Sequence, residues 1–411
     1  MTSKPIVQCQ ICHSDSLNPI FFFGYIPAVN AMQDISAPNL HQEFFPLGIS
    51  QCTECNLVQI NYEVTQKVLF PYSYPYLSGS TNILKTNFRN LAETCLNKGI
   101  VSSDSFIIDI GSNDGTLLAQ FDGLVEQVLG IEPTQAHEVA IRRGIDTIND
   151  YFCQAVANKV KNNYPVPDLI TAANVFAHIP APNDIVNSIK SLMGEQSSFI
   201  SENHYLPSIV SGLQYDTVYH EHLRYYHLGS LNGLFNRNGL MIYDVEKIPT
   251  HGGSIRVYSC LEGARQITDN VKRLMDEEEQ LGLNSNQWKE KFIDRVQQSK
   301  FQLIQLLAKI KSEGKRIVGI GAPSRATTLI NYCGIDQDLI DCVLEISSSS
   351  KLNKFIPGTK IPVLEESLLF DEQPDYALML SWHIADELIP KLKAKGFNGQ
   401  YIIPLPEIII R

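Results

Sequence analysis

The chain reads as an α/β protein of three parts: a small N-terminal zinc-binding module, a doubly wound Rossmann-like core and a second Rossmann-like domain at the C-terminus. Three observations predict this. Two CxxC pairs lie at Cys9/Cys12 and Cys52/Cys55, apolar strand-like runs alternate with amphipathic stretches from Ser105, and the same rhythm resumes at Lys315 after a long helical interval. At roughly 100–200 residues per domain, 411 residues accommodate such a series. The expected limits are 1–70, 71–265 and 266–411.

Composition excludes several classes. With 44% hydrophobic and 19% charged residues the chain can bury a sizeable core and is neither disordered nor collagen-like. Lys and Arg number 33 against 44 Asp and Glu, so a net charge of −11 offers no footprint for a phosphate backbone, and nucleic acid is not an expected partner. No stretch approaches the roughly 20 apolar residues of a membrane span, and MTSKPIVQCQIC lacks a signal-peptide core. A cytoplasmic protein without a membrane partner is expected. Nine cysteines in such a chain point to metal ligands and buried thiols rather than disulfides.

The first element is QCQIC with QCTEC, 39 residues apart. Each tight turn offers two sulfurs, and Cys9, Cys12, Cys52 and Cys55 together make a closed tetrahedral zinc site, structural because no coordination position stays open. The intervening IFFFGYIPAVNAM is too little apolar material for a self-sufficient core, so the metal acts as a staple. His13 should face solvent. Next comes a tyrosine- and serine-rich loop, LFPYSYPYLSGST, of the kind that lines sites. A helix near Asn82–Leu96 follows, with Leu84, Phe88, Leu91 and Cys95 on one face.

FIIDIG, QVLGIEP, DLITAANVF and SSFISEN then read as strands of a parallel sheet, and Leu240–Ile248 and Gly253–Cys260 as strands that complete it. In IIDIGSNDGTLLAQF, Gly111-Ser112-Asn113-Asp114-Gly115 stands between a strand and an expected amphipathic helix, a nucleotide-binding turn whose glycines let backbone approach a ligand. A GxGxxG dinucleotide fingerprint is not met. Glu132 ends the next strand at the spacing where an acid takes ribose hydroxyls. A plain βαβ turn would explain the glycines alone; turn plus strand-end acid favours adenosine. Asn149, Asp150 and Asn174 end the following strands and are candidates for reading adenine.

QYDTVYHEHLRYYHLG gathers Tyr215, Tyr219, His220, Glu221, His222, Tyr225, Tyr226 and His227 within 13 positions. Imidazole with carboxylate and phenol neighbours suits general-base work: the carboxylate fixes the tautomer and Tyr donates to a developing oxyanion. A second metal site or a structural network are the alternatives, and HEH lacks HExxH spacing for zinc. His178, in NVFAHI, should reach the same cleft edge. The helical interval Thr268–Ser312 carries Trp288, Phe292, Val296, Leu303, Leu306 and Ile310 on a stripe, read as a packing face between domains. Finally, IVGIGAPSRATTLINYCG presents Gly319, Gly321, Ala322, Pro323, Ser324 and Arg325 in an anion-binding strand-to-helix turn suited to a diphosphate, without a Walker signature.

In this order, CxxC…CxxC, DIGSNDG, YHEHLRYY, HGGSIRVY, GxGAxSRAxTLxNYCGI and IPGTKIPV make the chain, over essentially its whole length, resemble the S-adenosylmethionine-dependent sugar C-methyltransferases that methylate carbon 3 of nucleotide-linked 4-keto-deoxy sugars. The resemblance implies that zinc module, methyltransferase core and C-terminal domain enclose one active site. It implies Cys9, Cys12, Cys52 and Cys55 as zinc ligands, and Asp109, Gly111, Asn113 and Glu132 around S-adenosylmethionine, to which the strand-end reading adds Asn149 and Asn174. It places His222 on the general base, Tyr219 and Glu221 on its neighbours, and Tyr76 and His178 on further catalytic positions. His220, Tyr225, Gly321, Ser324 and Arg325 are then candidates for the sugar nucleotide. The implied chemistry removes the proton beside the 4-keto group, giving an enediolate that takes the methyl group. Where many members carry a lysine-glycine pair, this chain has Ser324-Arg325-Ala326, and ISSSSKLNKF also differs, which leaves thymidine or guanosine diphosphate open. A nicotinamide oxidoreductase should show GxGxxG, a zinc adaptor leaves the Tyr/His cluster unexplained, and an O- or N-methyltransferase is the nearest rival. The expected partner is the sugar nucleotide alone, on a chain compatible with a monomer.

Overall fold

The computed structural model describes residues 3–37, 41–72, 77–283 and 285–411. The N-terminal part forms β1 (Lys4–Pro5), β2 (Leu17–Ile26), β3 (Gln33–Asp34), β4 (Phe45–Cys52), β5 (Val58–Ile60) and β6 (Tyr62–Glu63). On β2 the buried residues Ile20, Phe23 and Ile26 recur every third position instead of every second. Register shifts at Pro19/Phe21 and Phe22/Gly24 cause this, because each bulge inserts a residue into the pleat.

The core contributes β7 (Phe106–Ile110), β8 (Gln127–Ile131), β9 (Thr147–Ile148), β10 (Leu169–Ala173), β11 (Ser198–His204), β12 (Arg224–Tyr225), β13 (Leu240–Ile248) and β14 (Ser254–Leu261). Seven of them form one sheet in the order β13-β14-β11-β10-β7-β8-β9. The first five in sequence are parallel, and β13 and β14 add an antiparallel edge, so the two late strands do complete the sheet. The amphipathic helix expected after the glycine turn is absent. A single 3-10 turn, Leu118–Gln120, stands there, because Gly111, Asn113 and Gly115 all hold positive φ (70°, 51° and 75°) and Gly123 (70°) ends the segment at once.

The helical interval is two helices, Asp269–Gln280 and Gln287–Ser312, parted where Gly282 takes φ 65°. The second buries Trp288, Phe292, Val296, Leu303, Leu307 and Ile310 in a core shared with Ile20 and Leu47 of the N-terminal sheet and Leu329 and Leu378 of the C-terminal domain. The stripe is therefore a packing face, with Leu307 buried where Leu306 is only half-buried.

The last part forms β15 (Ile317–Ile320), β16 (Val343–Glu345), β17 (Lys354–Phe355), β18 (Pro362–Glu365), β19 (Tyr376–Met379), β20 (Gln400–Ile403) and β21 (Ile409–Ile410). Their sheet runs β21-β20-β19-β15-β16-β18-β17-β3, so a strand of the N-terminal part closes one edge. Likewise β12, from the Tyr/His segment, joins the N-terminal sheet in the order β12-β5-β4-β2. These exchanges lock the three parts around one cavity. No helix among the described residues is long and apolar enough to cross a membrane.

Candidate active site

The four sulfurs of Cys9, Cys12, Cys52 and Cys55 lie within 4.8 Å of one another, with Cys9–Cys55 at 3.4 Å and Cys12–Cys52 at 3.5 Å. A tetrahedral site with bonds of about 2.3 Å needs sulfur separations of roughly 3.8 Å. Each turn closes through a left-handed residue just past its second cysteine, His13 (φ 61°) and Asn56 (φ 58°). His13 is exposed, as expected. The module also reaches the segment around His178 through Arg224, a buried residue the motif reading missed. Its guanidinium donates to Gln10 Oε1 (3.0 Å) inside the first cysteine turn and to the carbonyls of Phe176, Ala177 and Ile179 around His178.

A cavity of about 1470 Å³ opens at the C-terminal ends of β7, β8, β10 and β11, where open α/β sheets place their ligands. Gly111, Asn113, Glu132 and Asn174 line it. Glu132 accepts the Asn113 amide (3.0 Å) on one oxygen and the Thr134 amide (2.8 Å) on the other, so the strand-end acid also shapes the turn. Ser78 and Gly79, at the end of the tyrosine-rich loop, dock onto the turn through Asn113 Oδ1 (2.8 Å) and Asp114 Oδ2 (3.1 Å). Two expected cofactor residues fall outside the cavity lining. Asp109 is buried beneath the turn, accepts Thr171 Oγ1 at 2.7 Å, and burial pushes its carboxyl up to about 7. Asn149 is exposed and donates to the Glu132 carbonyl (2.9 Å), which ties it to the acid's strand at the margin of the cavity lining. Asp150 is exposed and accepts the Tyr151 amide.

Across the cavity, His222 Nδ1 lies 2.8 Å from the Thr217 carbonyl and must donate to it, which leaves Nε2 with its lone pair. The Tyr219 ring packs at a tilt of 33° with its centre 4.1 Å away, His178 and His204 stand at 4.8 and 4.9 Å, and Tyr225 at 6.4 Å. His251 follows His204 at 5.1 Å. Burial first, then the neighbouring His178, holds His222 well below the usual imidazole range, so it is neutral at pH 7. His204, His251 and His383 line the same cavity, and the motif reading did not find them. His204 ends a sheet strand and His251 sits in HGGSIRVY, which are the signals that mark them.

Several expected neighbours are elsewhere. His220 is not among the cavity residues: its ring packs on Phe45 (5.8 Å) with Nε2 3.1 Å from the Pro46 carbonyl, so it belongs to the contact with the N-terminal sheet and not to a substrate site. Glu221 lines the cavity but does not fix the His222 tautomer, a task the Thr217 carbonyl performs; it accepts Asn30 Nδ2 at 2.8 Å. Tyr226 accepts Arg224 Nε, and His227 pairs with Glu278. The segment is irregular, so consecutive side chains leave it in different directions. Tyr76 lies outside the described residues.

These histidines predict acid sensitivity. Burial lowers His178, His220 and His251 to about 4 and His383 to about 3, against about 6.5 in an unfolded chain. Below pH 6.5 the unfolded chain takes protons that the folded chain refuses, so stability falls with pH down to about 4. The ceiling is about 1.4 kcal/mol per pH unit for each such group, softened where cavity water reaches the ring. The unfolding temperature should drop between pH 7 and 5; an equal value at both would contradict the burial.

The C-terminal domain supplies Ser324 and Arg325 to the same cavity. Gly321 stays beneath: it holds φ 80°, and a Cβ there would meet Ser381 Oγ at 2.3 Å, so its role is to let the turn pack. The Ala322 amide donates to Glu345 Oε1 (2.7 Å), repeating the Asn113–Glu132 arrangement of the core. Ser324 Oγ donates to Asn30 Oδ1 (3.3 Å), which links zinc module, Tyr/His segment and C-terminal turn.

Family models match three consecutive stretches: "Putative zinc binding domain" over residues 9–70, "Methyltransferase domain" over 87–245 and "C-methyltransferase C-terminal domain" over 249–406. The C-methyltransferase NovU of Streptomyces niveus is 28% identical over 407 residues, 98% of this chain and 96% of NovU. Among solved structures, magnesium protoporphyrin IX methyltransferase of Synechocystis PCC 6803 with bound S-adenosylmethionine is 11% identical with a TM-score of 0.33, covering 43% of this chain and 79% of that one. An S-adenosylmethionine-dependent methyltransferase of Anabaena variabilis is 14% identical with a TM-score of 0.37, covering 46% and 89%.

Proposed function

We propose that the chain, in which a putative zinc-binding domain, a methyltransferase domain and a C-methyltransferase C-terminal domain follow one another, methylates carbon 3 of a nucleotide-diphosphate-linked 4-keto-deoxy sugar with S-adenosylmethionine, with His222 as general base. One observation carries the reading: His222 is a neutral imidazole whose Nδ1 proton is committed to Thr217, on a ring that lines the cavity shared by Glu132 and Arg325.

The cofactor side fits an adenosyl ligand. Asn174 Oδ1 is buried without a hydrogen-bond partner among the described residues, and Glu132, which takes the Thr134 amide and hydroxyl on one oxygen and the Asn113 amide on the other, keeps one lone pair for a ribose hydroxyl. Gly111 packs so tightly that a Cβ would meet Val175 at 2.5 Å. Gly111, Asn113, Glu132 and Asn174 would hold S-adenosylmethionine, which supplies an electrophilic methyl group to the nucleophilic carbon. Glu132→Ala should weaken its binding by about 1.5–3 kcal/mol, the range for hydrogen bonds to a charged group. Calorimetry giving an unchanged affinity would remove that role.

The chain's own residues then make the nucleophile. A 4-keto group acidifies the hydrogen on carbon 3. His222 Nε2 takes that proton, the C–H pair becomes a C3=C4 double bond, and the carbonyl pair moves to O4 as an oxyanion. Tyr219, packed at a tilt against the imidazole, limits the ring's movement, and the Thr217 bond keeps the tautomer right through the transfer. An O-methyltransferase would turn such a base on a hydroxyl instead, so the atom that receives the methyl group decides between the readings. Incubation with labelled S-adenosylmethionine and a panel of nucleotide-linked 4-keto sugars tests the reading: the methyl group should appear on carbon 3, and methylation only at oxygen or nitrogen would overturn it.

A further inference from the structure

We propose that Arg325 is a catalytic residue that holds the oxyanion at O4 as His222 removes the carbon-3 proton, and that Asp216 positions it; this rests on the base reading above. The sequence marks Arg325 as a diphosphate ligand, but its surroundings are those of a reaction centre. It is 7% exposed, and its anchor Asp216 is fully buried. Arg325 Nε stands 3.7 Å from Asp216 Oδ2, Nη2 donates to Gln214 Oε1 at 3.3 Å, and the guanidinium lies 5.3 Å from the Trp382 ring centre. Trp382 Nε1 in turn donates to Asp216 Oδ2 at 2.7 Å. Arg325 Nη1 is buried and has no partner among the described residues.

A buried donor on a cation is costly to leave unpaired, and the arrangement becomes favourable when an anion forms beside it. The guanidinium shares the cavity with His204, His222, His251 and His383, and its charge helps to depress all four. The same charge would repel the imidazolium that His222 becomes, unless the negative O4 forms between them. Proton transfer therefore creates a + − + arrangement from a neutral ketone and a neutral base beside a cation. Among the described residues the other cations lining the cavity are Lys4 and Arg224, and Arg224 has its donors on Gln10, the Tyr226 hydroxyl and three backbone carbonyls. Asp216 keeps Arg325 from folding toward open water, and its single charge leaves the guanidinium able to take a second anion.

The test measures carbon-3 deuterium wash-out, without S-adenosylmethionine, from thymidine- and guanosine-diphosphate 4-keto-6-deoxy sugars. Arg325→Met keeps the bulk and removes the donors. It should lower the saturating wash-out rate about 100- to 1,000-fold and leave the half-saturating concentration within about threefold. Arg325→Lys should recover at least about tenfold of that rate by restoring the charge. A wild-type saturating rate with a strongly raised half-saturating concentration would assign Arg325 to the diphosphate and overturn the proposal. If Arg325→Met does not fold, Arg325→Lys decides by the same split, because loss of the fork lowers the saturating rate in one case and only weakens binding in the other. Absence of wash-out by the wild type from either sugar would end the base reading and this proposal together. Wild-type wash-out that both variants retain in full would end this proposal alone.

Discussion

His222→Ala should slow carbon-3 deuterium wash-out by about 100- to 10,000-fold, the usual cost of losing a general base, with S-adenosylmethionine binding unchanged. Wash-out needs only a base and the carbonyl, so it separates proton removal from methyl transfer. Geometry narrows the substitutes. His220 is committed to the Pro46 carbonyl behind the cavity, so His220→Ala should not change the exchange chemistry. His178 and His204 flank His222 at 4.8 and 4.9 Å and are the side chains that would act if the assignment is wrong. Wild-type exchange by His222→Ala, with both ligands still bound, would move the base to one of them.

Cys52→Ser should leave the chain with less than one equivalent of zinc and largely unfolded or aggregated. Structural zinc contributes about 10–16 kcal/mol in finger peptides, as much as the whole stability of an ordinary domain. The damage should extend beyond the module. β12, which carries Tyr225, pairs with β5 of the zinc-bearing sheet, and Arg224 is tied to Gln10 between Cys9 and Cys12. Asn30 of the same part holds Glu221. Metal analysis, thermal unfolding and the wash-out rate should therefore fall together. A soluble, zinc-free and fully active Cys52→Ser protein would refute the structural role of the metal.

The four cysteines, the parallel strands and the strand-end position of Glu132 were legible in the sequence because each rests on a local rule. A CxxC turn fixes two sulfurs within four residues, and apolar runs at regular intervals announce a sheet whoever their neighbours are. A strand-end acid needs only the strand to exist. Where the chain is irregular, these rules stop. YHEH puts four polar side chains in a row, yet His220 goes to Phe45 and Pro46, Glu221 to Asn30 and His222 to Thr217, partners brought by folding from distant segments or by a local turn. The helix expected after DIGSNDG gave way to positive-φ turns, and Gly321 lies beneath the cavity, where its missing Cβ lets the turn pack. The tertiary structure alone brought His204, His251, His383 and Arg325, from four separate segments, to one cavity. It also passed β3 and β12 between sheets. Spacing along a chain determines which face a residue takes within a helix or strand; in a loop the direction of a side chain is decided by whichever buried partner satisfies it, and that partner is known only once the domains have packed.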